Sequence, residues 1–242
     1  MKVIKLDAID STNDFLKSLS VKQHVENFTV VTAENQTKGK GQMGSKWVSE
    51  SGKNLIMSVL VRDFLLETNA IFNLNIAVSM AVISALELFE IPKLSIKWPN
   101  DILSDNKKIG GILIENSLKS DTSIVSIVGL GLNVNQTNFE NLPKASSLAE
   151  ICGKTFDKVT ILNQIIDHLE RNVLFWNQKS VSLKNDYTNR LFKKGIPMPF
   201  QDTSEINFMG IIQGISVYGK LKILLEDDSI QEFDIKEIQM LY

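Results

Sequence analysis

Apolar residues alternate with polar ones in several short stretches of the chain and recur at helical spacing in two long stretches. Alternating or β-branched runs predict strands near residues 3–6, 28–33, 54–61, 94–96, 109–115 and 123–134. Helical spacing predicts two long helices, over residues 68–88 and 160–175. Because the first of these is apolar along most of its length, we expect it to be the central buried helix.

The pattern changes after residue 195. Short apolar runs at residues 208–215, 221–225 and 230–235 are separated by two tight turns. Strands this short, joined by turns within fewer than fifty residues, predict a small β-barrel that packs on the larger part of the chain. We therefore expect two domains, residues 1–195 and 196–242, of which the second could not fold alone.

Composition limits the classes of function that fit the chain. Among 242 residues, 43% are hydrophobic and 22% are charged, and the net charge is -2, so nothing indicates a surface for nucleic acid. The single Cys152 excludes an intramolecular disulfide. His24 and His168 lie in unrelated contexts, which argues against a zinc site or a histidine-based catalytic triad.

Targeting signals are not apparent in the sequence. The N-terminus alternates like a strand and lacks the apolar core of a signal peptide. No window approaches the length of a membrane span. We expect a cytoplasmic protein that binds neither a membrane nor nucleic acid.

The most informative chemistry lies at a corner after a short strand. Pro99 fixes its own φ and lacks a backbone donor, so the strand ends abruptly and presents Asn100 and Asp101 together. Lys108 follows, just before two glycines that would let a ligand approach the backbone. An amide, a carboxylate and an ammonium group at strand ends suit an anionic ligand with a metal ion. The alternative is a plain hairpin with a polar tip at residues 104–107.

A glycine-rich loop over residues 36–47 could hold a phosphate group. Its glycines would let backbone N–H groups fold around an anion, and its lysines add positive charge. It is neither a P-loop nor a dinucleotide fingerprint, because Trp47 and another strand follow it. Trp47 could stack on a purine or close the loop over the core, and both interpretations stay open. The glycines and lysines are Gly39, Gly41, Gly44, Lys38, Lys40 and Lys46.

Residues 10–13, Asp-Ser-Thr-Asn, have two interpretations as well. They are typical of a helix N-cap and would then need no further function. Alternatively, the hydroxyls of Ser11 and Thr12 could meet a neutral polar group such as a urea or an amide. Nothing local decides between the two.

Taken together, these motifs resemble the catalytic core of biotin protein ligases. They occur in the order of that family: residues 10–13; residues 33–37 with the glycine-rich loop and Trp47; Lys-Trp-Pro-Asn-Asp at 97–101; Lys-Ile-Gly-Gly-Ile-Leu at 108–113; and Gly-Leu-Gly-Leu-Asn-Val-Asn at 129–135. The resemblance covers residues 1–195 well and the remainder more loosely. It implies an α+β fold, with a class II aminoacyl-tRNA synthetase-like core of mixed sheet and helices and an SH3-like C-terminal barrel.

The resemblance also implies an activity. Biotin and ATP, with Mg²⁺, give biotinyl-5′-AMP and pyrophosphate, and the biotinyl group then passes to a lysine of the biotin carboxyl carrier protein of acetyl-CoA carboxylase, with release of AMP. Such chemistry depends on positioning and charge neutralisation, so few histidines are needed. Because the motif at residues 10–13 leaves no room for a preceding helix-turn-helix domain, a monofunctional enzyme is expected.

Site residues follow from the resemblance, position by position. Lys108 would be catalytic and Asp101 would bind Mg²⁺. Because Asp101 is a carboxylate at the same corner, we also expect it to be catalytic, by assisting the loss of a proton from the acceptor lysine. The biotin site would comprise Ser11, Thr12, Asn13, Gln36, Gly39, Lys40, Gly41, Gln42, Lys108 and Gly111. The nucleotide site would comprise Lys40, Gln42, Trp47, Asn100, Asp101, Lys108 and Asn133.

One departure from the family pattern concerns the glycine-rich loop. The family usually has Gly-Arg-Gly-Arg, whereas this chain has Gly39, Lys40, Gly41 and Gln42. Lysine lacks the planar fork of arginine and glutamine has no charge. We expect a looser grip on the adenylate unless Lys38 or Lys46 compensates.

Two other functions compete with this interpretation. A lipoate or octanoate ligase or transferase would share the fold, but its ligand has no urea for Ser11, Thr12 and Gln36, and the Lys-Trp-Pro-Asn-Asp corner would not be expected. A module that only sequesters biotin or a nucleotide would not need both Lys108 and Asp101. The family often pairs through an exposed sheet edge, so a homodimer is an expectation, although the sequence does not show which edge is free.

Overall fold

The computed structural model describes residues 2–64, 71–118, 123–140 and 142–242. Seven strands form a mixed sheet in the order β1-β2-β3-β7-β6-β5-β4, in which only β1 and β2 are parallel. The apolar patterns therefore predicted the main strands, and the α+β fold is confirmed. The strands are β1 (Val3–Ile9), β2 (Val30–Gln36), β3 (Leu55–Arg62), β4 (Leu94–Lys97), β5 (Asp101–Ser104), β6 (Lys107–Leu118) and β7 (Ile124–Leu132).

Five α-helices accompany this sheet in the described part of the chain. They are α1 (Thr12–Lys22), α2 (Ile71–Glu87), α3 (Leu148–Cys152), α4 (Lys158–Leu174) and α5 (Trp176–Asn189). Helix α2 is buried along most of its length, as its apolar pattern predicts, although residues 68–70 of the predicted helix lie outside the described residues. Ser11 caps α1 and Asp157 caps α4, each accepting a hydrogen bond from a backbone N–H in the first turn.

Two helices were not predicted. In α5 only Leu183 and Tyr187 are buried, so its sequence carries no continuous apolar stripe. Helix α3 has five residues, of which only Leu148 is buried, which is too short for a periodic signal.

A second, antiparallel sheet ends the chain. Its strand order is β11-β10-β9-β8-β12. Strand β8 was missed because two prolines, which are uncommon within sheets, lie in it. The strands are β8 (Pro197–Asp202), β9 (Asn207–Ile215), β10 (Leu221–Leu224), β11 (Ile230–Phe233) and β12 (Ile238–Met240).

The two sheets share one hydrophobic core. Phe200, Ile212 and Ile223 of the second sheet belong to the same buried cluster as α2 and the main sheet. Trp98 Nε1 also donates a hydrogen bond to the Gly219 carbonyl oxygen at 2.9 Å. The second sheet is thus packed against the corner between β4 and β5, which carries several of the candidate site residues. None of the described helices is both long enough and apolar enough to cross a membrane.

Candidate functional site

A cavity of about 250 Å³ lies where the start of α1, the loop after β2 and the strands β3, β5, β6 and β7 meet. The structure brings most of the predicted site residues to this one cavity, although they are spread over about a hundred positions of sequence. Those lining it are Ser11, Thr12, Asn13, Gln36, Lys40, Gly41, Gln42, Trp47, Asn100, Asp101, Lys108 and Gly111.

Lys108 and Asp101 form an ion pair within the cavity. Lys108 Nζ lies 2.6 Å from Asp101 Oδ1, and their side chains are 35% and 20% exposed. The pairing arises from the β5–β6 hairpin, the alternative that the sequence left open, which places the two residues on neighbouring strands. The hairpin and the charged site are therefore the same structure. Partial burial keeps a charge at this position less screened by salt than a surface charge would be.

Hydrogen bonds fix the corner that carries Asn100. Its Nδ2 donates to the Ile112 carbonyl oxygen at 2.6 Å, and the Ile112 N–H donates to the Asn100 carbonyl oxygen at 3.0 Å. The carbonyl oxygen of Pro99 accepts from Asn75 Nδ2 at 2.7 Å and from the Tyr187 hydroxyl at 3.2 Å. Since burial and the loss of solvent raise the pKa of Tyr187, its hydroxyl stays protonated and able to donate.

Glycines on β6 and β7 make room for the side chains of the site. A Cβ atom at Gly131 would lie 2.4 Å from Trp47 Cε2, so only glycine allows the indole ring to pack there. A Cβ at Gly111 would lie 3.4 Å from both Lys108 Nζ and Trp47 Cζ3, which is ordinary contact. Trp47 thus closes the loop against β7 and also lines the cavity. Its Nε1 is buried without a partner among the described residues.

Lysines of the glycine-rich loop pair with carboxylates at the start of α1. Lys40 Nζ lies 2.7 Å from an Asp14 carboxylate oxygen, and Lys38 Nζ lies 2.8 Å from Asp10 Oδ2. These hydrogen bonds raise the pKa of both lysines. All four side chains are largely exposed, so each pair contributes little to stability. The two ammonium groups are nevertheless turned toward α1.

The start of α1 supplies hydroxyl and amide groups to the cavity. The Thr12 N–H donates to Gln36 Oε1 at 2.8 Å, and Thr12 Oγ1 lies 3.0 Å from the same oxygen. Ser11 is both the helix cap and part of the cavity wall, since its Oγ accepts from the Asp14 N–H at 3.3 Å. The two interpretations of residues 10–13 are therefore compatible.

Two predicted site residues do not line this cavity. Gly39 lines an adjacent, more open space of about 680 Å³, which shares Gln36, Lys40 and Trp47 with the cavity. Asn133 is buried, and its Nδ2 donates to the Ser146 carbonyl oxygen at 3.0 Å, so it holds the segment that follows β7. That segment also forms two backbone hydrogen bonds with Lys108. The Lys108 N–H donates to the Lys144 carbonyl oxygen, and the Ser146 N–H donates to the Lys108 carbonyl oxygen.

Other residues of the cavity were not predicted. Its apolar wall is contributed by strand residues that the sequence marks only as core, because buried strand positions and binding-site positions have the same composition. This wall comprises Ile56, Met57, Ile112, Leu113 and Leu130.

Lys97 adds a further positive charge beside the ion pair. Its Nζ lies 4.5 Å from the centre of the Tyr242 ring. The pKa of Lys97 is lowered, mainly by burial. The Asp101 carboxylate acts to raise this pKa, and the nearby Lys108 ammonium lowers it further. Burial likewise raises the pKa of Tyr242. Two ammonium groups therefore face one carboxylate in this region, which favours an anionic ligand.

Comparison with known proteins places this geometry in a family. The family model described as "Biotin/lipoate A/B protein ligase family" matches residues 6–133. The biotin–[acetyl-CoA-carboxylase] ligase of Mycobacterium tuberculosis is 30% identical over 195 residues, which cover 79% of this chain and 71% of that protein. The bifunctional ligase/repressor BirA of Bacillus spizizenii is 33% identical over 170 residues, or 68% of this chain and 51% of that protein. The chain thus spans about half the length of this second relative.

A solved structure matches nearly the whole chain. The biotin protein ligase from Aquifex aeolicus, in complex with biotin and ATP, has a TM-score of 0.81 and 30% identity and covers 99% of this chain and 98% of that one. Because the family model matches more than half of the sequence and the fold agrees along its length, this chain belongs to the biotin/lipoate A/B protein ligase family, among the biotin protein ligases.

Proposed function

We propose that the protein uses ATP to attach biotin to one lysine of the biotin carboxyl carrier protein of acetyl-CoA carboxylase, through biotinyl-5′-AMP. The observation that carries the proposal is the ion pair of Lys108 and Asp101 in the same cavity as the hydroxyl and amide groups of Ser11, Thr12 and Gln36. Charged groups suit the reacting carboxylate and phosphate, whereas neutral polar groups suit the urea of biotin.

The first step joins two anions. A carboxylate oxygen of biotin attacks the α-phosphorus of ATP, the bond to the bridging oxygen breaks, and pyrophosphate leaves. Lys108 lies between the carboxylate and the α-phosphate and reduces their repulsion, which is the main barrier that positioning and charge can lower. Gly111 of β6 lies beside the Lys108 ammonium, where a Cβ would be in ordinary contact at 3.4 Å.

Biotin recognition depends on buried hydrogen-bonding groups. Ser11 and Thr12 are at most 3% exposed, so a ligand that failed to pair with their hydroxyl groups would leave polar groups unsatisfied. Sites of this kind discriminate strongly against ligands that lack the matching donors or acceptors. Gln36 and the backbone around Lys40, Gly41 and Gln42 complete the biotin side in this proposal. Gly39 allows the two sides of the loop to approach, since a Cβ there would lie 2.3 Å from the Trp47 carbonyl oxygen.

Recognition of the nucleotide uses the opposite part of the cavity. Trp47 stacks beside the adenine, and Asn100 and Asp101 face the phosphates. Asn133 supports the adenosine side indirectly, by its hydrogen bond to the segment that contains Ser146. Asp101 also binds Mg²⁺, which neutralises phosphate charge when bound. The donor set fits this ion, because Mg²⁺ at nucleotide sites commonly uses one or two carboxylates together with phosphate oxygens and water. Among the described residues, no group of three or more His, Cys, Asp or Glu is placed to hold a metal ion.

In the second step the ε-amine of the acceptor lysine attacks the acyl carbon of biotinyl-AMP. The bond between that carbon and the phosphate oxygen breaks, AMP leaves, and the amine must lose a proton. Asp101 is the carboxylate at the right corner to assist this loss.

The finer features of the fold are also part of the proposal. We infer a class II aminoacyl-tRNA synthetase-like core over residues 1–195 and an SH3-like barrel over residues 196–242. The second sheet begins at Pro197, which supports this division, and the Aquifex match extends through it. Pairing of two copies into a homodimer stays a prediction, as does a cytoplasmic location.

A transfer assay tests the proposed function. The protein is incubated with ATP, Mg²⁺, biotin and a carrier domain of acetyl-CoA carboxylase, and the carrier is examined by mass spectrometry. One biotinyl increment that requires all three small molecules is expected, with no increment when lipoate replaces biotin. Modification by lipoate, with none by biotin, would overturn the proposal in favour of a lipoate ligase.

A further inference from the structure

A buried chain of polar side chains runs behind the biotin side of the cavity. Ser58 Oγ lies 2.7 Å from Thr12 Oγ1 and 2.6 Å from Asn13 Oδ1. Asn13 Nδ2 donates to Glu115 Oε2 at 2.8 Å. At the other end, Thr12 Oγ1 lies 3.0 Å from Gln36 Oε1. Neither Ser58 nor Glu115 lines the cavity, yet both are joined to it through these contacts.

The Glu115 carboxylate gives this chain a direction. A carboxylate only accepts hydrogen bonds, so Asn13 must turn its Nδ2 toward Glu115 and its Oδ1 toward Ser58. An amide oxygen also only accepts, and the Ser58 hydroxyl therefore donates its single hydrogen to Asn13. The Ser58–Thr12 contact, at 2.7 Å, is the shorter of the two that the Thr12 hydroxyl makes, so we assign its single hydrogen to Ser58.

One contact of the chain is left without a hydrogen. Three oxygen–oxygen contacts share two hydroxyl hydrogens, one from Thr12 and one from Ser58. The contact left over is that between Thr12 Oγ1 and Gln36 Oε1, which at 3.0 Å is also the longest. Gln36 cannot turn its amide nitrogen there, because its Oε1 accepts the Thr12 backbone N–H at 2.8 Å. Two acceptors thus face one another on residues that line the cavity.

We propose that Ser58 and Glu115 are positioning residues that fix the direction of hydrogen bonding, so that Thr12 and Gln36 receive an N–H group of the ligand. The inference rests on the proposed function, in which that ligand is the urea of biotin, and it explains why a cyclic urea is accepted. A ligand with an ether or ester oxygen at this position would bring a third acceptor to the pair.

Burial keeps the chain from reversing easily. Ser58 is fully buried, and Thr12 and Asn13 are 3% and 4% exposed, so water has little access to any of the three. Gly129 faces Asn13, and a Cβ there would lie 2.5 Å from Asn13 Oδ1, so the chain fits only against glycine. Reversal would break several buried hydrogen bonds at once, each costly to leave unmade.

Ser58→Ala tests the inference. Without the Ser58 hydroxyl, the Thr12 hydrogen turns to Gln36 and supplies the missing bond, so the ligand N–H is no longer required. Binding is measured by calorimetry for biotin and for two analogues, in each of which one ureido N–H is replaced by oxygen. The matched control is Ser79→Ala, since Ser79 is a fully buried serine on α2 whose hydroxyl has no partner among the described residues.

In the unaltered protein and in Ser79→Ala, biotin should bind about 10-fold or more tighter than the analogue that lacks the relevant N–H. In Ser58→Ala this preference should fall below about threefold, with KM for ATP unchanged and the melting temperature close to that of Ser79→Ala. Retention of the full preference in Ser58→Ala, or equal weakening of all three ligands, would overturn the inference while leaving the ligase function standing. Absence of any biotin binding by the unaltered protein would overturn both.

Discussion

At the scale of single residues, the site depends on charges placed where bulk water reaches them only in part. Asp101 illustrates this, because it pairs with Lys108 at 2.6 Å and is also the candidate ligand of Mg²⁺ and the candidate base for transfer. One side chain is thus assigned to both half-reactions, and these assignments can be separated kinetically.

Asp101→Asn keeps the shape of the side chain and removes its charge. Adenylation should slow by about 10²-fold, the size of effect seen when one electrostatic group is lost from an active site. Transfer from preformed biotinyl-AMP should slow as well if Asp101 assists the loss of the lysine proton. Single-turnover quench experiments measure both steps. Full-speed transfer with slow adenylation would restrict Asp101 to the metal, and Asp105→Asn, an exposed position on the same hairpin, provides the control.

Gln42→Arg concerns the loop that departs from the family pattern. Gln42 lines the cavity without charge, and the neighbouring Lys40 is paired with Asp14 at 2.7 Å. Arginine would add a planar, permanently charged donor group, so release of biotinyl-AMP should slow several-fold. The release rate is measured by dilution or trapping, with Gln178→Arg on the exposed face of α5 as the control. An unchanged release rate would contradict this explanation of the loop.

At the scale of elements, packing between the glycine-rich loop and the sheet depends on a glycine of β7, which has no side chain. Trp47 lies over Gly131 of β7 at a distance that leaves no room for a methyl group. The same indole ring lines the cavity. The position of the loop and the shape of the nucleotide site should therefore change together.

Gly131→Ala should displace Trp47, raise KM for ATP and cost about 1–3 kcal/mol of stability, as overpacking usually does. A double-mutant cycle with Trp47→Ala isolates the clash, because removing the indole should cancel most of the cost of the alanine. Denaturant unfolding and KM for ATP are measured for the unaltered protein, the two single variants and the double variant. Additive effects of the two substitutions would mean that the loop does not pack on β7 in solution.

The elements that the sequence predicts are those with strong apolar periodicity. The main strands and the helices α2 and α4 carry it, and α5, with Leu183 and Tyr187 as its only buried residues, does not. Most of the candidate site was also predictable, since its residues stand in short motifs at or near the ends of elements. Ser58 and Glu115 were not, because a polar residue inside a strand gives no sign of the partner it meets across the sheet.

At the scale of the whole molecule, the two sheets are joined by a common core. Phe200 of β8 is fully buried in the cluster that includes α2, and Tyr187 of α5 packs edge-to-face on Phe72. The sequence predicted a small second sheet but could not show how it docks, since docking depends on side chains far apart in sequence. The common core implies that the second sheet and the catalytic core unfold together.

Calorimetry should accordingly show one unfolding transition for the chain. Phe200→Ala should lower the free energy of unfolding by about 3–5 kcal/mol, the usual cost of truncating a buried phenylalanine, and should shift that single transition as a whole. Phe175→Ala, at an exposed position, is the control. Two separate transitions, with only one shifted by Phe200→Ala, would show that the sheets fold as independent units.

In the proposed mechanism, the Lys108 ammonium brings the carboxylate of biotin and the α-phosphate of ATP together. The most direct measurement is biotin-dependent release of pyrophosphate in a single turnover, compared among the unaltered protein, Lys108→Ala and Lys17→Ala, a lysine on the exposed face of α1. Rapid release is expected from the unaltered protein and from Lys17→Ala, with a loss of at least about 10²-fold in Lys108→Ala. Release by Lys108→Ala at the unaltered rate would contradict this mechanism.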